Sequence, residues 1–150
     1  MKALTLGVVD LPGRECSVAV ARRYVADLLR ASGHVDVDDA VLAVSEVVTN
    51  AVVHTASGRE GGVVTVEVTH LGPCLVCVEV IDDGPSASCV PPGVPVMRRH
   101  EEGKATLETG GRGLWLVDEV TESWGVRQVE KGRGAVWMRI STSAKADERS

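Results

Sequence analysis

The amino-acid sequence predicts an α+β domain in two layers: a mixed, mainly antiparallel sheet with helices packed on one face. Two observations carry that class. The apolar period alternates between two residues and a helical turn, giving the order strand, helix, helix, strand, strand, long loop, helix, strand, strand. The strand-like runs also come in adjacent pairs joined by glycine-bearing turns, the mark of hairpins. No segment repeats another.

A first strand is expected near Thr5 to Val9, then a Pro12-Gly13 turn. Ser17 stands where it would cap a helix whose Val18, Ala21, Val25 and Leu28 recur at helical spacing, with Gly33 ending it. Asp36, followed by Asp39, is expected to start a second helix, because acidic groups suit the positive end of the helix dipole; it runs to about Thr55. Gly61-Gly62 opens two strands, Val63 to Leu71 and Leu75 to Ile81, with Val64, Val66, Val68 and Val76, Val78, Val80 alternating.

From Gly84 to about Thr109 no period holds, and Pro85, Pro91, Pro92 and Pro95 argue against regular structure across much of it. A loop of that length predicts a functional lid or disorder. Glycines 110, 111 and 113 then precede a third helix with Leu114, Val117, Val120 and Trp124 on one face and Gly125 as terminator. Two strands, Val126 to Glu130 and Ala135 to Ile140, flank Lys131-Gly132-Arg133-Gly134. Residues 1–140 are expected to form one domain and 141–150 a disordered tail.

Composition narrows the function classes. At 150 residues the chain fits one domain. Its 44% hydrophobic content is spread in short runs, none near the roughly 18 residues of a membrane span. Met1-Lys2 runs straight into the first strand without a signal-peptide pattern, so the cytoplasm is the expected compartment. A net charge of -5, with no Phe and one Tyr, lacks the basic face and stacking platforms of nucleic-acid binders. Cys74 and Cys77 have metal-like spacing, but no second pair follows.

Three motifs carry chemistry. On the second helix Glu46, Thr49, Asn50 and Val53 share one stripe, opposite Val41, Val44, Val48, Ala51 and Val52, and both sides are expected to be buried. A carboxylate and a carboxamide one turn apart would be satisfied there by a hydrated magnesium ion and phosphate oxygens. Asp82-Asp83-Gly84 ends a buried strand, where Asp82 could accept from an adenine amino group and Gly84 lets the backbone approach the ring. Gly110-Gly111-Arg112-Gly113-Leu114 presents free amides at a helix start, a phosphate cradle to which Arg112 could add charge. It is no Walker loop, since no Gly-Lys-Ser/Thr follows.

In this order the three resemble the asparagine box and the two glycine boxes of the GHKL ATPase superfamily, which includes gyrase and the histidine kinases. Glu46-x-x-Thr49-Asn50-Ala51-x-x-His54, Asp82-x-Gly84 and Gly111-x-Gly113-Leu114 are most similar to the anti-sigma-factor serine/threonine kinases. The resemblance spans about Arg22 to Ile140. It implies a Bergerat ATP-binding fold with Asn50 on Mg2+, Asp82 on the adenine amino group and Gly84 against the base. It further implies Gly111 and Gly113 under the phosphates, joined by Thr49, Gly110, Arg112 and Leu114, and Glu46 as general base toward a partner serine or threonine. The implied partners are a sigma factor, near Arg22, and an anti-sigma-factor antagonist; a homodimer is compatible with it. Nucleic acid and membrane are not expected. Ser86 stands where the family has a second glycine and Thr109 where kinases often have a basic residue. Those departures keep an alternative open, a catalytically silent ATP-gated protein-binding module.

Overall fold

A computed structural model describes residues 3–85, 96–99, 105–108 and 112–143. Five strands, β1 (Leu4–Pro12), β2 (Val63–Gly72), β3 (Leu75–Asp82), β6 (Ser123–Val129) and β7 (Arg133–Ser141), form a sheet in the order β1-β2-β3-β7-β6. Every described pairing is antiparallel. Three helices, α1 (Cys16–Ala31), α2 (Asp38–His54) and α3 (Arg112–Val120), complete the α+β layers.

The two-residue period does what the sequence predicts. Val64, Val66 and Val68, then Val76, Val78 and Val80, then Val136, Met138 and Ile140 are all buried against the helices. Facing them are Ala21, Val25 and Leu29 of α1 and Ala43, Val44, Val47 and Val48 of α2. Burying one such side chain contributes about 1.5–3 kcal/mol, and a one-residue slip would turn a whole strand's set outward. This apolar face therefore fixes the register that sets Asp82 opposite Gly134.

Local departures have identifiable causes. Ser17 does not cap α1; its hydroxyl donates to Pro12 O at 2.5 Å, and the helix begins at Cys16 without a side-chain cap. The start of α2 lies at Asp38 instead of Asp36, with Asp38 and Asp39 in its first turn. Within the expected irregular segment, β4 (Val96–Arg99) and β5 (Ala105–Glu108) form an antiparallel hairpin. Four-residue strands paired only with each other are too short to show a period. Residues 86–95, 100–104 and 109–111, the rest of the expected lid together with Gly110 and Gly111, lie outside the described residues.

The third helix stops at Val120, and Trp124 and Gly125 belong to β6. Trp124 is nonetheless buried, and its indole Nε1 donates to Asp118 Oδ1 at 3.0 Å, so it rejoins the face that its spacing suggested. At the C-terminal end, β7 includes Ser141, the Thr142 amide donates to Cys74 O, and Ser143 O accepts from the Val35 amide. Those bonds hold the first residues of the expected tail; residues 144–150 lie outside the described residues.

The same corner buries His34, 1% exposed. Its Nδ1 is bonded to Thr142 Oγ1 and its Nε2 meets His70 Nδ1 at 2.9 Å. Two ring nitrogens that close hold one proton between them. Burial, and then the neighbouring His70, hold the His34 pKa below its ordinary value. A histidine whose folded pKa is depressed binds its proton more tightly when unfolded, so stability is full above the unfolded value of about 6.5 and falls with pH below it. Thermal melts from pH 7 to 5.5 should therefore show a steeper drop in Tm for the unaltered chain than for His34→Gln. Equal slopes would contradict this account.

Candidate functional site

Asp82 closes β3 at the floor of a cavity of about 600 Å³. The cavity opens between α2, the turn after β3, the start of α3 and the β6–β7 hairpin. Its walls include Val47, Ala51, Val80, Leu114 and Val136, with polar groups from Asn50, His54, Asp82 and Arg133. An apolar slot with few convergent polar groups suits a small organic ligand with one planar, hydrogen-bonding end.

The Asp82 carboxylate is held from two sides. The Gly84 amide donates to Oδ1 at 2.7 Å, and the Gly134 backbone, opposite across the β3–β7 ladder, favours the charged form as well. Burial pushes the Asp82 pKa up, the Gly84 and Gly134 backbone amides oppose that shift, and the adjacent Asp83 charge adds to it. What results is a half-buried acceptor whose remaining lone pairs are available to a ligand donor.

Gly84 has φ of 85°, and a Cβ there would overlap the Gly132 carbonyl oxygen. The turn thus lies directly on the tip of the β6–β7 hairpin, where Lys131 and Gly132 also take positive φ. Gly84 O accepts from the Ala56 amide at 2.8 Å, which ties the turn to the short 3-10 turn Ala56–Gly58 beyond α2.

On α2, Asn50 is half-buried and lines the cavity, one turn after the half-buried Glu46. The expectation that both sides of this helix are buried is corrected: Thr49 and Val53 are exposed, Val53 by 64%. Elsewhere on the helix, Ala43, Val44, Val47, Val48 and Ala51 pack in the core. Thr49 donates its hydroxyl to Ser45 O at 2.7 Å. Glu46 and Thr49 are not among the described cavity-lining residues.

Arg112 and Gly113 are the first two residues of α3, and Leu114, 2% exposed, forms part of the cavity wall. Asn50, Asp82, Gly84 and Leu114 are thus brought together around one cavity, while Arg22 lies exposed on α1 and lines no part of it. The roof was not legible in the sequence. Gly132, Arg133 and Gly134 line the cavity, and their glycine density signalled only a turn, because its neighbour is set by strand pairing over a long separation.

Residues 11–140 match the family described as Histidine kinase-like ATPase domain. The chain is 29% identical over 103 residues to an anti-sigma F factor of Clostridium botulinum strain Eklund 17B, covering 64% of this chain and 71% of that protein. A second anti-sigma F factor, from Clostridium botulinum strain Alaska E43, is 28% identical over the same shares. Among solved structures, the mycobacterial sensor histidine kinase MprB superposes with a TM-score of 0.46 at 17% identity, over 92% of this chain and 99% of that one. That overlap is too loose to bear on function.

The contact of Gly84 with the hairpin is directly testable. Gly84→Ala meets both an unfavourable φ and the Gly132 carbonyl, whereas Gly61→Ala, at φ of 77°, meets nothing within 4 Å. Gly61→Ala should cost about 1 kcal/mol and Gly84→Ala at least about 2 kcal/mol in denaturant unfolding. Equal losses would show that the turn does not rest on the hairpin.

Proposed function

The chain belongs to the histidine kinase-like ATPase domain family, and from that footing we propose that it binds Mg-ATP in this cavity and regulates a sigma factor, phosphorylating a serine or threonine of an antagonist protein. The observation that carries the nucleotide assignment is the Asp82 carboxylate, held by the Gly84 amide at the floor of an apolar slot. An adenine amino group offers a donor to the carboxylate lone pairs that the backbone leaves free, and Gly84 lines the same cavity beside them. The similarity to two anti-sigma F factors supports the choice of partner class.

The other end of the ligand would lie toward α2 and α3. The Asn50 side-chain oxygen is a hard donor at the cavity wall, suited to Mg2+, and the phosphates would follow the α3 start with Thr49, Gly110, Gly111, Arg112 and Gly113. Magnesium bound there would neutralise phosphate charge. Glu46, one turn from Asn50, would take the proton of the attacking hydroxyl. The hydroxyl oxygen then bonds to the γ-phosphorus as the bond to the bridging oxygen breaks, and ADP leaves. Arg22, exposed on α1, is proposed to face the sigma factor. No described helix is long and apolar enough to cross a membrane, and a cytoplasmic site of action is proposed with the function.

One observation favours the alternative of an ATP-gated binding module without phosphoryl transfer: Glu46 is not among the described residues lining the cavity. Two variants separate the cases. Asn50→Ala should impair magnesium-dependent nucleotide binding together with any activity. Glu46→Ala should keep ATP affinity within a few-fold while phosphorylation of the antagonist falls about 10² to 10⁴-fold. An unaltered chain that binds ATP and its partner yet transfers no phosphate would leave the binding module as the function.

A further inference from the structure

Ser57 has no part in the chemistry above, yet it is wholly buried and at the centre of a cluster of hydrogen bonds. Its hydroxyl donates to Val63 O at 2.8 Å and accepts from the Asp83 amide at 2.9 Å. The Val63 amide in turn donates to Asp83 Oδ2 at 2.8 Å, which closes a ring of three residues. The Ser57 amide donates to Thr55 Oγ1 at 3.1 Å, and that hydroxyl donates to Ala51 O at 2.6 Å in the last turn of α2. A continuous run of hydrogen bonds therefore leads from α2 to the backbone between Asp82 and Gly84.

We propose that Ser57 is a positioning residue of the nucleotide site, whose buried hydroxyl fixes the Asp82–Gly84 turn at a set distance from α2. This rests on the nucleotide assignment and extends it. Asp82 addresses one end of the ligand and Asn50 the other, and they stand on separate elements that this bridge links beside the Ala56 bond to Gly84 O. The backing is rigid. A Cβ on Gly13 or Gly62 would overlap the Ser57 carbonyl oxygen, and the Gly13 amide donates to Gly62 O at 2.9 Å, so two glycine backbones close over the serine from behind. A hydroxyl held this way can neither rotate to another partner nor reach water. Its loss leaves the Asp83 amide without its acceptor and frees the turn.

The test compares Ser57→Ala with His34→Gln, a control at the far end of the sheet, both measured where each is fully folded. Amide exchange at Asp83 in nucleotide-free protein should be at least about tenfold faster in Ser57→Ala and unchanged in the control. Calorimetry should show ADP affinity falling about tenfold and the preference for ADP over GDP narrowing in Ser57→Ala alone. A purely structural role would leave that preference intact in the folded protein. Should Ser57→Ala fail to fold, the nearly isosteric Ser57→Cys, with a weaker donor and acceptor, gives intermediate values of the same quantities. Unchanged exchange at Asp83, or faster exchange with an unchanged ADP preference, overturns the proposal while the nucleotide assignment stands. An unaltered chain that binds neither nucleotide removes the assignment, and the positioning role with it.

Discussion

A carboxylate held in an apolar slot is costly, and the architecture around Asp82 follows from meeting that cost with backbone amides. Burial disfavours its charge, and the Gly84 and Gly134 amides compensate in part. Neither amide is a free choice. The Gly134 amide arrives only because β3 pairs with β7 in one register, and the Gly84 amide only because that residue adopts positive φ. The valine-rich inner faces of the strands, distant from any chemistry, therefore set the geometry of the acceptor.

The helix opposite meets a different constraint. It must bury one side against the sheet and leave the other available, and its residues divide accordingly. Val44, Val48 and Ala51 pack in the core, while Asn50 reaches the cavity from the half-open side. The anchoring through Thr55, Ser57 and Asp83 then converts two separate elements into one frame. On the proposed function, a frame set in advance would lower the ordering cost of binding Mg-ATP.

The strands and the order of motifs were legible because valine alternation and glycine-rich helix starts are local signals. The family resemblance followed from Glu46, Asn50, Asp82 and Gly84, and the match over residues 11–140 agrees with it. What was not legible depends on distant partners. Trp124 had helical spacing from Val117 and Val120 but belongs to a strand, because it reaches the same core after a turn. The stripe on α2 looked buried because Val53 is apolar; only tertiary packing leaves it exposed. Gly132 and Ser57 gave no signal, since a glycine in a turn and a serine after a helix are ordinary until the backbone they touch is known.

The central claim, that Asp82 is an acceptor for a purine amino group and not a structural acid, is tested most directly by Asp82→Asn. A carboxyl whose folded pKa stands above its unfolded value takes up its proton more readily when folded, so at neutral pH its charge subtracts from stability. The account predicts that Asp82→Asn at pH 7 keeps or raises Tm while ADP affinity, measured by calorimetry, falls at least about tenfold. ADP affinity equal to that of the unaltered chain, or a loss of binding matched by a loss of stability, would contradict it.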